Sequence, residues 1–434
     1  MRVALIVLGC PKNTVEAQYL LGKLRDCNYG IADNVEEADI VVVHTCSFIK
    51  KARMESQKTI RALLRLKQKK NLMVFVTGCL PQLLKESILK EFPQIDGYIG
   101  TGSLHMLTDL VENLLPKIDW TPGGLNNAKS RVLDSKYAYL KIAEGCNHRC
   151  SFCIIPSLRG AYKSVKMQSL IDEARALAEN GVKELILIAQ DTSNYGIDLY
   201  RAPVLDKLLS KLSAIQELKW IRLLYGYPQN ISGDLLKVIS ENPKVCKYLD
   251  IPIQHISAKI LSLMKRPQNT RKTIEKIRAA FPQIMLRTSL IAGFPQENKA
   301  DLKEILDFIK EGHFLYCGVF GYSDNKGTAA YSMNRKICAA DINERKILME
   351  NAQYEVFKRK IEALKNRETE IFISNCRKDG GVYKIEARTS FQAPEIDGKT
   401  FLTDANPAEI GSFRNVKIVS NNGYNLKATE NLRN

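Results

Sequence analysis

Apolar and polar positions alternate in blocks along the first third of the chain. The apolar runs over residues 3–8, 40–43 and 73–77 predict strands. Between them the apolar spacing turns helical. Ala17, Leu20, Leu21 and Leu24 share one helix face, with Thr14 as a candidate cap. A basic helix is predicted over 54–70, and Pro81 suits the first turn of another. Strand–helix alternation predicts a parallel sheet with crossover helices. Residues 121–127 are rich in breakers and read as a linker. The alternation then resumes, with strands predicted at 138–142, 185–189, 220–224, 248–253, 286–291 and 315–322. Helices such as 170–178 and 302–309 separate them. Six such units predict an open or partial barrel. A long polar helix at 343–364 closes it. Strands at 369–374 and 381–389, with turn residues between, predict a small all-β barrel. The expected fold is α/β: an amino-terminal α/β domain (1–118), a linker (119–135), a barrel domain (136–365) and a terminal β module (366–434).

Composition narrows the function. A chain of 434 residues exceeds one ordinary domain, and 45% apolar with 26% charged residues is typical of globular proteins. No apolar run approaches a membrane span. Residues 1–10 superficially resemble a short signal ending in a lipidated cysteine. The run is too short, with a single charge before it, and reads better as a strand. A cytoplasmic location without membrane association is therefore expected. Eleven cysteines in such a chain point to metal or redox chemistry rather than disulfides. Cys27, Cys246, Cys317, Cys338 and Cys376 are scattered and read as small buried residues. The net charge of +17 suggests an anionic partner such as RNA. It is uneven: residues 136–365 carry +12 and residues 366–434 only +1.

The sharpest signal is Cys146, Cys150 and Cys153, spaced Cys-x3-Cys-x2-Cys. Thiolates bind soft metals and iron–sulfur clusters. Three ligands for a four-iron cluster leave one iron open, as a catalytic centre requires. A zinc knuckle would need a fourth ligand, and only His148 is at hand. The spacing after a first barrel strand resembles the signature of the radical S-adenosylmethionine superfamily. That resemblance implies that the open iron chelates the cofactor's methionine part, whose reductive cleavage yields a 5′-deoxyadenosyl radical. It also implies that Phe152 lies near the adenine.

Cys10, Cys46 and Cys79 are far apart in sequence but alike in context, each following one of the first three apolar runs. The carboxyl ends of parallel strands share one edge, where ligands gather. Three thiols so placed can converge on one cluster. Each alone would read as a small buried residue.

The combination of a three-cysteine domain, a radical barrel and a terminal β-barrel resembles the methylthiotransferase family along essentially the whole chain. The resemblance implies that Cys10, Cys46 and Cys79 hold an auxiliary 4Fe-4S cluster. It implies that Cys146, Cys150 and Cys153 hold the radical one, and that the terminal module is a TRAM domain. Two branches differ in substrate. One modifies adenosine beside the tRNA anticodon, and usually reads Gly-Cys-Gln-Met-Asn at the first cysteine. The other modifies the β-carbon of an aspartate in the small-subunit ribosomal protein numbered twelve. Leu8-Gly9-Cys10-Pro11-Lys12-Asn13, Ile154-Ile155-Pro156-Ser157-Leu158-Arg159-Gly160, Gln190-Asp191-Thr192-Ser193-Asn194-Tyr195-Gly196, Tyr248-Leu249-Asp250-Ile251-Pro252, Arg287-Thr288-Ser289 and Ala393-Pro394-Glu395-Ile396-Asp397-Gly398 resemble the second. Departures are Lys163-Ser164-Val165-Lys166, Asp324-Asn325-Lys326-Gly327, and Gln296-Glu297-Asn298 where Gly-Glu-Thr is usual. The implied reaction spends one S-adenosylmethionine on methylating an auxiliary-cluster sulfur and a second on the radical. No acid–base residue is expected beyond the cluster ligands, because the carbon–hydrogen bond is unactivated and the cofactor carries the difficult step. An electron donor protein is the further partner. Gln190, Asp191 and Arg287, near predicted strand ends, are candidates to touch cofactor or substrate. The competing readings are tRNA methylthiolation and a non-catalytic iron–sulfur or zinc RNA-binding protein.

Overall fold

The three leading apolar runs become the middle of a parallel sheet. A computed structural model describes residues 1–26, 28–101, 131, 133 and 135–430, so Cys27 and most of the predicted linker lie outside the described residues. Strands β1 (Arg2–Val7), β2 (Gly30–Ile31), β3 (Ile40–Thr45), β4 (Met73–Gly78) and β5 (Gly97–Ile99) take the order β2-β1-β3-β4-β5. Every neighbouring pair is parallel. β3 is buried along its whole length, as a central strand covered on both faces must be. The strand order reverses between β1 and β3, which opens a crevice beyond their carboxyl ends. The helix after β1 spans Pro11–Asp26, so Thr14 lies inside its first turn rather than at its cap. Pro11 is the reason: it needs no N–H partner and its φ is preset for a helix start. The basic helix is Lys50–Lys67; it buries Ser56, Ile60, Leu63 and Leu64 and sends most of its charges to solvent.

The second sheet is the expected open barrel. Its strands are β6 (Tyr137–Lys141), β9 (Glu184–Ile188), β10 (Trp220–Leu223), β11 (Val245–Asp250), β12 (Met285–Ala292) and β13 (Tyr316–Gly321), with a short antiparallel pair, β7 (Ala143–Glu144) and β8 (Lys163–Ser164), beside it. The six are parallel in the order β13-β12-β11-β10-β9-β6, leaving β6 and β13 as edges. β11 begins earlier and ends earlier than the apolar run at 248–253 suggests. Pro252 cannot donate to a ladder, and Lys247 interrupts the apolar run before Tyr248. The amino-terminal domain spans the gap between the edges. Glu16 meets Lys141 of β6 at 2.8 Å. Beyond β13, Ser323 accepts from Lys50 N (3.1 Å) and Asn325 donates to Phe48 O (3.2 Å).

The terminal module is a closed barrel, β14-β15-β16-β18-β17, of β14 (Glu368–Asp379), β15 (Val382–Thr389), β16 (Thr400–Ala405), β17 (Phe413–Asn422) and β18 (Asn425–Glu430). Ile371, Ile373, Ile385, Leu402 and Val416 form its own core. Phe372, Phe391, Ala393, Ile418 and Leu426 belong instead to the inner face of the large barrel, with Tyr139, Ile186, Trp220 and Tyr248. The small barrel thus plugs the large one. Glu184 of β9 sits in this seam between Arg222 Nε (2.7 Å) and Arg388 Nη2 (2.5 Å), all three side chains buried. Glu184→Ala leaves two buried guanidiniums without a counter-charge. It is expected to cost about 3–5 kcal/mol. Urea unfolding checks this, and a loss under about 0.5 kcal/mol, the scale of surface changes, would contradict it.

Candidate functional site

Both cysteine trios touch one short helix or its flanking residues. Cys10 follows β1, Cys46 follows β3 and Cys79 opens the helix after β4. Gly9, at φ +104°, sets the approach: a Cβ there would stand 2.5 Å from Cys46 Cβ. Only glycine permits that contact and that backbone. Cys46 and Cys79 lie close enough to Cys10 for a thiolate there to raise their pKa. Cys146 follows the β7 strand after Gly145, whose φ is +77° and whose missing Cβ would fall 2.1 Å from Ala161 O. The triplet loop is pinned at Cys146 N–Gly160 O (3.1 Å), Ser151 N–Met264 O (3.0 Å) and Cys153 N–Cys150 O (3.1 Å).

The helix Ile155–Arg159 joins the trios. Gly160 O holds Cys146 N, while Cys79 packs with Ile154 and Leu158. Arg159 Nη2 reaches Cys79 Sγ (3.7 Å) and Asn13 Oδ1 (2.8 Å). Its Nη1 meets Glu16 Oε1 (2.9 Å) and Glu144 Oε1 (3.0 Å). Lys141 bridges the same two carboxylates, and His44 Nε2 lies 3.0 Å from Glu16 Oε2. Burial alone would push both carboxyls up, but Lys141 and Arg159 outweigh it and hold them below the usual range. On the other trio Arg266 Nη1 lies 3.9 Å from Cys150 Sγ and its guanidinium covers the Tyr227 ring at 4.3 Å. Each trio therefore has one guanidinium beside a thiol.

The candidates from sequence fall into two groups. Phe152 packs edge-on to Phe294 at 6.5 Å, beside the triplet. Gln190 donates to Glu144 Oε1 (2.7 Å), while its own Oε1 is buried without a partner. Asp191 is buried and accepts from His148 Nε2 (2.7 Å), Asn230 (3.0 Å) and Ser193 (2.5 Å). His148 also stacks on Tyr227 with centroids 3.7 Å apart, so the one nitrogen donor inside the triplet is engaged elsewhere. Arg287 is placed differently. Its guanidinium meets Asp250 (2.8 Å) and Asp397 (3.3 Å), which joins the large barrel to the terminal module. Sequence reasoning passed over Lys12, Glu16, Glu144, Arg159 and Arg266. Arg159 and Lys12 lay inside quoted motifs and Glu144 opens the triplet's own segment; Glu16 and Arg266 are brought in by long-range packing.

Do these residues suit the implied clusters? Among the described residues no three His, Cys, Asp or Glu side chains converge on a single ion. A cubane asks for something else, since each thiolate holds its own iron. The described cysteines are free of disulfides. Each trio supplies soft donors and a nearby guanidinium that offsets the negative charge of a thiolate-bound cluster. The residues fit. Of the scattered cysteines, Cys246 is buried as expected, Cys317 and Cys376 are half-buried, and Cys338 is exposed. Cys338 departs from the expectation because its Sγ caps the helix Ala339–Glu362, accepting from Asp341 N at 3.5 Å.

Burial pushes the Cys46 and Cys146 thiols up to about 11 and Cys153 to about 12. Above its ordinary value a thiol holds its proton, so less nucleophile exists at a given pH. In the iron-free protein at pH 8, alkylation of Cys46 and Cys146 is therefore expected to run about 100-fold slower than for an ordinary thiol, one tenfold per unit. Mass spectrometry of labelled peptides, with exposed Cys338 as internal standard, reads this directly. Equal rates would contradict the burial.

Two departures from the resembled pattern keep their physical roles. Asn298 caps the helix Lys299–Lys310 through Ala300 N (2.8 Å) and Asp301 N (3.0 Å), as threonine would. Gln296, where glycine is usual, adopts the left-handed φ of +68° all the same.

Comparison with known proteins agrees with this architecture. Residues 2–100 match the uncharacterized protein family UPF0004, residues 140–309 the radical SAM superfamily and residues 367–430 the TRAM domain. Among solved structures the chain resembles the radical S-adenosylmethionine methyltransferase TsrM from Kitasatospora setae (TM-score 0.54, 14% identity, covering 76% of this chain and 73% of that one). It also resembles the cobalamin-dependent S-adenosylmethionine radical enzyme OxsB (TM-score 0.52, 13% identity, covering 82% and 57%). Identities this low speak for the fold alone. The chain is 55% identical over 433 residues to the ribosomal protein uS12 methylthiotransferase RimO of Endomicrobium trichonymphae, covering 98% of each. It is 40% identical to the protein of the same name from Geobacter sulfurreducens, covering 98% and 97%. With that identity sustained over the full length of both chains, this protein belongs to the RimO family of methylthiotransferases.

Proposed function

We propose that the protein is a radical S-adenosylmethionine methylthiotransferase that adds a methylthio group to the β-carbon of an aspartate in the small-subunit ribosomal protein numbered twelve. The observation that carries this reading is the helix Ile155–Arg159. Arg159 reaches Cys79 at 3.7 Å and Gly160 O holds Cys146 N at 3.1 Å, so one element addresses both trios. The relatives' names supply the substrate.

When bound, a 4Fe-4S cluster with S-adenosylmethionine supplies a hydrogen-abstracting radical, and a second cluster supplies the sulfur to be transferred. The chain's own residues do the rest. Cys146, Cys150 and Cys153 would hold the first cluster, and Cys10, Cys46 and Cys79 the second. Arg159 and Arg266 lower the cost of their negative charge. Glu16, Glu144 and Lys141 fix Arg159, so the two halves of the site cannot drift apart. Asp191 orients His148 and, with it, the Tyr227 ring beside the triplet. Gln190, whose Oε1 is buried without a hydrogen-bond partner, is a candidate to accept from cofactor or substrate. Phe152 is the candidate adenine contact. The small barrel walls the lumen and keeps water from a reactive radical.

No helix among the described residues is long and apolar enough to cross a membrane. A ribosomal substrate supports a cytoplasmic enzyme, which a one-electron donor protein would reduce. The tRNA reading is not favoured, and the terminal module's net charge of +1 does not recommend it for gripping phosphate. The test is reconstituted enzyme with S-adenosylmethionine, reductant and either purified ribosomal protein or tRNA. The ribosomal protein is expected to gain one methylthio group in place of one hydrogen. A gain by tRNA adenosine alone would overturn the substrate assignment.

A further inference from the structure

One strongly charged surface has no part in the reading above. The helix Lys50–Lys67 and the three residues after it hold nine basic residues against one acidic, Glu55, whereas the rest of residues 1–135 holds nine basic and thirteen acidic. Positive charge is thus gathered on one element of an otherwise acidic segment. A helix face that meets only water commonly mixes the two signs at i,i+4 spacing. Here Lys51, Lys58 and Arg65 recur every seven residues, two turns and about 10 Å apart along one face, and all three are exposed. Arg61 falls between the last two, and Lys69 follows Arg65 by four residues. Like charges at that spacing repel one another. Arg61 is paired with Glu91 and Lys67 with Asp96. Lys51, Lys58, Arg65 and Lys69 have no ion pair with any described residue.

The helix is also placed to lead toward the site. Ile60, Leu63 and Leu64 pack it on one face of the amino-terminal sheet, with Val41, Val43, Val74 and Val76. The helix Pro11–Asp26 packs on the other face through Leu20 and Leu24, and it is this one that meets the barrel through Glu16 and Lys141. The charged stripe therefore lies on the outer side of the domain, open to a macromolecule. Its amino-terminal end reaches the seam, where Lys50 N donates to Ser323 (3.1 Å) and Arg53 to Asn325 (3.3 Å). Ser56, on the inner side, accepts from Cys46 N (3.2 Å) and donates to Cys46 O (2.8 Å). A polyanion lying along the stripe runs up to that seam. We propose that this face docks the enzyme on the RNA phosphate backbone of the ribosomal small subunit, so that the target protein is presented by the subunit rather than free. This rests on the proposed function, whose substrate belongs to a particle built on RNA. A protein that packs against phosphate is itself rich in cations and repels this face; the RNA beside it supplies the opposite charge, and release of its counter-ions drives association.

The experiment gives the reconstituted enzyme two substrates: small subunits purified from cells that lack the modification, and the isolated ribosomal protein. The variant Lys58→Gln/Arg65→Gln/Lys69→Gln removes three exposed, unpaired charges. With subunits its KM is expected to rise about tenfold or more, and the slope of log affinity against log salt to become shallower by about 2 to 3. With the isolated protein its KM should match that of the natural enzyme, as should its 5′-deoxyadenosine formation. Lys58→Arg/Arg65→Lys/Lys69→Arg keeps the charges and should behave naturally on subunits. An unchanged KM and salt slope on subunits overturns the inference and leaves the proposed function standing. So does a natural enzyme that modifies the isolated protein but not the subunit, or an equal loss by the glutamine variant on both substrates. Weakened binding to phosphatidylglycerol vesicles, with binding to subunits intact, overturns it in favour of a membrane surface. If natural enzyme modifies neither substrate, the proposed function falls as well.

Discussion

Cys146→Ala is expected to abolish reductive cleavage of S-adenosylmethionine. With dithionite as reductant, 5′-deoxyadenosine should fall by at least about 10³-fold, to the uncatalysed background. In the proposed function three thiols are the chain's contribution to that cluster, and Cys146 is held by the same backbone bond that anchors the joining helix, Cys146 N to Gly160 O at 3.1 Å. No neighbour can substitute. His148 is committed to Asp191 and Tyr227. Liquid chromatography of the quenched reaction checks the result, and cleavage at the natural rate would remove the triplet from the mechanism.

The second large effect should divide the reaction in two. In the triple variant of Cys10, Cys46 and Cys79 to alanine, 5′-deoxyadenosine formation is expected to persist while methylthiolated product disappears. The reason is the division of labour: the triplet sits on its own loop, pinned by Ser151 N–Met264 O and Cys153 N–Cys150 O, neither of which involves the amino-terminal domain. In the proposed function the sulfur source is the other trio, on the amino-terminal domain. Product and deoxyadenosine are measured in one sample, which controls for misfolding. If product forms at the natural level, the auxiliary trio does not supply the sulfur. If both vanish together, the trios are not separable functions.

The strands of both parallel sheets could be read from the sequence because their signal is local. A buried parallel strand is a continuous apolar run, and the runs at 40–43 and 73–77 lie inside β3 and β4. That Cys10, Cys46 and Cys79 come near one another could be read because three strand ends share an edge by topology. Where local chemistry competes, the reading slips. Pro11 moves the first helix start ahead of Thr14. Pro252 ends the pairing of β11 inside an apolar run. The hairpin of Gly380 and Gly381 carries β14 through a polar stretch to Asp379, five residues beyond the predicted end at 374, while β15 begins within one residue of its predicted start.

The ionic bridge had no local signal at all. Glu16 and Arg159 stand 143 positions apart, and nothing in either neighbourhood marks them as partners. The same holds for the plug. Phe372 and Phe413 alternate as ordinary strand residues, yet Trp220 of the large barrel packs against both, with centroids 6.2 and 5.0 Å away. The terminal module reads from sequence only as a separate small β-barrel. Its loop from Ala393 to Asp397 instead reaches Arg287 and Tyr248, so it also forms one wall of the barrel interior.

The claim that two clusters share one site is tested most directly by iron quantification with Mössbauer and electron paramagnetic resonance spectra of anaerobically purified enzyme. Two four-iron clusters per chain are expected, with two reduced signals, only one of which shifts when S-adenosylmethionine is added. A single four-iron cluster per chain, lost on changing the triplet and untouched by changing Cys10, Cys46 and Cys79, would contradict the account.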